Sequence, residues 1–103
     1  MKLFLVTRRD LTAGLRAAML CHALREFGAG HGKIDEEWYS TSNTLVLLET
    51  ENLDSLLALA DQAVREGVPL SRFEEPDLGG ALAALAIAPS GRKLVRDLPL
   101  AFQ

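Results

Sequence analysis

The chain has 103 residues, 49% hydrophobic and 24% charged, with a formal net charge of −3, the size of one domain with a two-layer core. No apolar run reaches the roughly 20 residues that span a bilayer, and Arg8, Arg9 and Asp10 follow the opening Met1–Val6 run too soon for a signal-peptide core. One cysteine, Cys21, excludes an internal disulfide, and two histidines nine residues apart give no zinc spacing. The composition therefore points to a single cytoplasmic domain over residues 1–103, without metal or membrane. Its charge is uneven: residues 1–33 carry a net +4, residues 34–80 a net −9 and residues 81–103 a net +2. If the two basic ends lie side by side, they form a face suited to phosphate.

In chain order, Lys2–Arg8 reads as a strand covered on both faces. Thr12 then caps a helix from Ala13 to about Phe27, stopped by Gly28, Gly30 and Gly32. Asp35–Tyr39 reads as a short second helix, and Thr44–Thr50 as a buried strand. Asn52 caps a third helix whose Leu53, Leu56, Leu57, Ala60, Ala63 and Val64 recur at i, i+3, i+4 spacing until Gly67 and Pro69. Leu70–Glu75 is an edge strand, Pro76–Gly80 a turn and Leu82–Ala88 a strand of small apolar residues, with a last short helix at Arg92–Asp97. The order β-α-α-β-α-β-β-α predicts an α/β fold, a four-stranded mixed sheet with helices on its faces.

A helical wheel at 100° per residue places Ala17, Leu20, Cys21, Leu24 and Phe27 on the core side of the first helix. The opposite side carries Leu15, Ala18, Met19, His22, Arg25 and Glu26. His22, with both charge signs one turn away, suits acid–base or phosphate-facing work near neutral pH; the same pattern fits a solvated face. Leu15 and Met19 on that side suggest a contact surface. Asp77, in the loop between two strands, is a candidate carboxylate, although an aspartate before glycine also serves turn geometry. Arg8 and Arg9 match phosphate geometry, and strand alternation sends them to opposite faces. No glycine spacing matches a phosphate-binding loop or a dinucleotide fingerprint.

Lys2–Leu11 followed by Gly14–Ala23, including Cys21-His22-Ala23, resembles the opening of the type-two peptidyl-tRNA hydrolases. The resemblance extends through Trp38, the Thr44–Leu47 strand, Glu66-Gly67-Val68-Pro69, Glu75-Pro76-Asp77-Leu78-Gly79 and Leu85–Pro89. It implies hydrolysis of the ester between a peptide and the 3′ ribose of tRNA, without metal or cofactor. It implies that His22 and Asp77 are the catalytic candidates, with Asp77 or His22 positioning water. Arg8, Arg9, Arg16 and Arg25 are the cations expected to hold the tRNA acceptor end. The family places a lysine seven residues before the histidine, a glutamine three before it and a threonine two after the loop glycine. This chain has Leu15, Met19 and Ala81 there. Those departures leave a second reading open, a non-catalytic interaction module or homodimer of the same fold using Leu15 and Met19.

Overall fold

A computed structural model describes all residues 1–103. Strands β1 (Lys2–Arg8), β2 (Thr44–Thr50), β3 (Leu70–Glu75) and β4 (Ala81–Ile87) form one sheet in the order β2-β1-β4-β3. β1 runs parallel to β2 and antiparallel to β4, which pairs antiparallel with β3. The predicted mixed α/β sheet and its element order are what the structure contains, joined by helices α1 (Ala13–Gly30), α2 (Gly32–Thr41), α3 (Leu53–Arg65) and α4 (Arg92–Val95).

Two apolar clusters lie on opposite faces of the sheet. Leu3 and Leu5 point to one face, where Met19, Leu20, Ala23 and Phe27 of α1 and Trp38 of α2 cover them. Phe4 and Val6 point to the other, beneath Leu56, Leu59 and Ala60 of α3 and Val95 of α4. This double burial explains why β1 reads as a continuous apolar run. Ala84, Ala86 and Ala88 belong to the α1 cluster, and their small side chains let the helix approach the sheet closely. Asn52 and Ser55 form a reciprocal capping box at the start of α3, and Gly67, at φ 70°, follows its end.

The rotation of α1 differs from the wheel. Met19 is buried at 3% exposure, whereas Cys21 and Ala17 are exposed. The inward stripe is Arg16, Leu20, Ala23 and Phe27, with Met19 beside it. Its phase was hidden because a charged residue, Arg16, turns inward and apolar residues surround the rest of the helix. Gly28 does not stop α1. It continues to Gly30, with Asp35 of α2 near the space a Gly28 side chain would occupy. The Thr12 side chain occupies the cap position without donating or accepting a cap bond.

Beyond α4 the chain adds an element absent from the expected list. Glu49 N–H donates to Pro99 O and Ala101 N–H to Leu47 O, with an antiparallel bridge between Leu48 and Leu100. This tail therefore pairs with the outer edge of β2 and turns back at Phe102, a non-glycine residue at φ 66°. Part of the basic ends also converges: Lys2, Arg92 and Arg96 line one hollow. Arg8, Arg9 and Arg16 gather at the opposite end of β1.

Candidate active site

The chain leaves β1 toward α1 on one face and leaves β2 toward α3 on the other. Adjacent parallel strands with diverging connections open a crevice at their carboxyl ends, the usual ligand position in open α/β sheets. Arg9 and Asp10 from the end of β1 line this crevice with Glu51 and Asn52 from the end of β2. β4 runs antiparallel to β1 and Arg8 at the end of β1 donates to Leu82 O, so the 76–80 turn that precedes β4 also comes to this end.

The arginines here are ordered by carboxylates. Arg8 makes a two-bonded pair with Asp10, Nε to Oδ1 at 3.0 Å and Nη2 to Oδ2 at 2.9 Å, and donates Nη1 to Leu82 O at 3.0 Å. Its hydrogen bond holds the Asp10 carboxyl below the ordinary aspartate range, more than partial burial raises it. Glu49, on β2 opposite Thr7, accepts from two arginines: Arg9 Nε on Oε1 at 3.0 Å and Arg16 Nη1 on Oε2 at 2.7 Å. The Glu49 side chain is 6% exposed, Arg16 16% and Arg9 49%. Arg9 therefore reaches solvent while Arg16 lies against the fold. As strand alternation requires, Arg8 and Arg9 diverge, and only Arg9 joins Arg16.

Arg16, Arg9 and Glu49 line a hollow of about 560 Å³ whose remaining wall is Ala13, Pro99, Leu100, Phe102 and Gln103. The Arg16 guanidinium carbon sits 5.1 Å from the Phe102 ring centre, a cation–π arrangement. Sequence reasoning missed Glu49 and Phe102. A lone glutamate in an apolar strand was the available signal for the first; no signal existed for the second, because tail pairing is long-range.

Asp77 lies in a tight turn, Pro76–Leu78, fixed by Glu75 Oε1 accepting the Asp77 N–H at 3.2 Å and by Gly79 at φ 67°. Its own carboxylate is exposed and has no hydrogen-bond or ion-pair partner. His22, exposed in the middle of α1, stacks on Phe73 with ring centres 4.3 Å apart and planes 11° apart. Phe73 is four residues before Asp77 along β3 and its turn, on the order of 10 Å. No hydrogen bond joins His22 to Asp77. Arg25, one turn beyond His22, is exposed and unpaired. No group of three or more His, Cys, Asp and Glu side chains forms a metal-binding cluster.

The first turn of α1 completes this end. Its N–H groups at Ala13, Gly14 and Leu15 have no backbone acceptor, and the first turn contains no acidic residue. Residues 1–99 match the peptidyl-tRNA hydrolase PTH2 family. The chain belongs to that family. A solved structure of a protein of unknown function from Agrobacterium tumefaciens str. C58 has the same fold, with a TM-score of 0.69 at 12% identity over 96% of each chain. Against the PTH2 pattern given by the resemblance, Leu15 is half-buried against the α1 cluster, Met19 is within it and Ala81 begins β4. The contact surface expected from Leu15 and Met19 is thus corrected: Met19 is enclosed by its own fold.

Proposed function

We propose that this PTH2 protein hydrolyses the ester between a peptide and the 3′ ribose of tRNA at the carboxyl end of its sheet. The observation that carries this reading is the unpaired Asp77 carboxylate, on a turn closed by Gly79, at the same end of the sheet as the start of the 18-residue helix α1. In this reading Asp77 accepts a hydrogen bond from a water and aims it at the ester carbonyl. As the water oxygen bonds to the carbonyl carbon its proton passes to Asp77, the N–H groups of Ala13, Gly14 and Leu15 supply partial positive charge to the oxyanion that develops, and collapse breaks the bond to the 3′ ribose oxygen, which leaves with that proton as the hydroxyl of free tRNA. Arg9 and Arg16 meet phosphate, each having donors beyond the one given to Glu49. Arg8, occupied by Asp10 and Leu82, stiffens the β1 end. His22 and Arg25 meet the acceptor end farther along α1.

Purified protein is then expected to release tRNA from N-acetyl-aminoacyl-tRNA, and Asp77→Asn to slow release by about 100-fold or more. Full turnover by both Asp77→Asn and His22→Ala would refute the assignment. A second reading, a non-catalytic module, is favoured by one observation: Leu15 and Met19 turn toward the core and Arg16 turns to Glu49, so no cation pairs with Asp77. Acceptor-end binding without turnover by the wild-type protein would establish it.

A further inference from the structure

The tail that follows α4 builds one wall of the Arg9–Arg16 hollow, and residues 100–103 lie outside the family match. That wall carries Phe102, an exposed residue whose ring has the Arg16 guanidinium over one side. The opposite wall carries two guanidinium groups joined through one carboxylate. Glu49 uses both oxygens on them, one each, which fixes the two forks without exhausting their donors. The Arg16 Nε–H is buried and has no acceptor at all. A donor-rich wall facing an aromatic ring in about 560 Å³ has the size and chemistry for a base joined to a phosphate.

We propose that this hollow is a nucleotide subsite, in which Arg9 and Arg16 bind a phosphate, the open side of Phe102 stacks on the base, and Glu49 positions the two arginines. Building on the hydrolase reading, its occupant is the 3′-terminal nucleotide of the tRNA. The placement agrees with that assignment. Arg9 ends β1 and Asp77 follows β3, two strands away in the sheet, a lateral separation of about 10 Å. The tail that carries Phe102 lies outside β2, so the base is on the far side of Arg9 from Asp77 and the ribose, between base and phosphate, is on the Arg9 side of the hollow.

The test is binding of adenosine monophosphate to the full chain, followed by NMR shifts of the arginine Nε–H groups and the Phe102 ring, with inorganic phosphate as the comparison. Adenosine monophosphate is expected to bind more tightly than phosphate and to shift Arg9, Arg16 and Phe102 together. Phe102→Leu keeps apolar bulk on the tail and removes the aromatic face; it is expected to weaken adenosine monophosphate about tenfold, leave phosphate unchanged, and Phe102→Trp to restore binding. Equal affinities for the two ligands, shifts confined to other residues, or unchanged nucleotide affinity in Phe102→Leu would overturn the subsite. A CCA-ended acceptor minihelix is expected to displace adenosine monophosphate, and one lacking the terminal adenosine to do so poorly. Failure of the first to displace it overturns the tRNA assignment. Failure of the hydrolase reading shows separately, as nucleotide binding intact in a protein without turnover.

Discussion

Replacing Glu49 by glutamine preserves side-chain volume but removes the one carboxylate that pairs with Arg9 and Arg16. The two arginines respond unequally, because the Arg16 side chain is 16% exposed and the Arg9 side chain 49%. Arg9 returns its charge to water, a loss of about 0–1 kcal/mol. Arg16 keeps a largely buried guanidinium without its carboxylate, in addition to an Nε–H that already lacks an acceptor. Breaking a buried pair costs about 3–5 kcal/mol, and the residual exposure of Arg16 lowers that figure, so Glu49→Gln is expected to lose about 2–4 kcal/mol. In a chain of this size that corresponds to a fall in Tm on the order of 10–20 °C. Urea unfolding of the wild type, the single variants and the two double variants gives the coupling energies. Glu49–Arg16 coupling is expected at about 2 kcal/mol and Glu49–Arg9 coupling at about 0.5 kcal/mol. A loss below about 0.5 kcal/mol in Glu49→Gln, or equal couplings to the two arginines, would refute the reasoning.

Gly91→Ala places a methyl group 2.5 Å from Ile87 Cγ2 and 2.8 Å from Val68 Cγ1; such overpacking is expected to cost about 1–3 kcal/mol in urea unfolding, and an unchanged midpoint would mean the neighbours yield freely. Asn52→Ala removes the acceptor of the Ser55 N–H in the capping box of α3; a loss of about 1 kcal/mol is expected by thermal melting, with no loss if the start of α3 contributes nothing. Asp10, held below its ordinary range by Arg8, contributes stability that is complete above the unfolded-state pKa and disappears as pH falls through the lower folded one. Asp10→Asn is therefore expected to lose stability at neutral pH and to show a shallower acid decline than the wild type; parallel melting-against-pH curves would contradict that coupling.

The elements were legible where local chemistry is strong. The continuous apolar run of β1 reflects burial on both faces, and Asn52, Gly67 and Pro69 bound α3 through capping and chain reversal. The phase of α1 was not legible, because its inward stripe includes Arg16, and a charge turns inward only when a partner such as Glu49, 33 residues away, meets it. For the same reason Cys21 was expected inside and is outside, while Met19 was expected outside and is inside. The strand order and the pairing of Pro99–Ala101 with β2 depend on contacts across the chain, which local periodicity does not carry. At the candidate site, Asp77 and the arginines were nameable from residue type and resemblance. That His22 rests on Phe73 rather than meeting Asp77, and that Phe102 faces Arg16, are tertiary facts.

The central claim is that Asp77 acts on the reacting water and that Arg9 acts on binding. Steady-state cleavage of N-acetyl-aminoacyl-tRNA at fixed ionic strength separates the two roles, since a group used only in the transition state lowers kcat, whereas one used equally in both states raises KM. Asp77→Asn is expected to lower kcat by about 100-fold or more with little change in KM, and Arg9→Gln to raise KM with kcat nearly unchanged. Wild-type turnover with an unchanged kcat in Asp77→Asn would contradict the account.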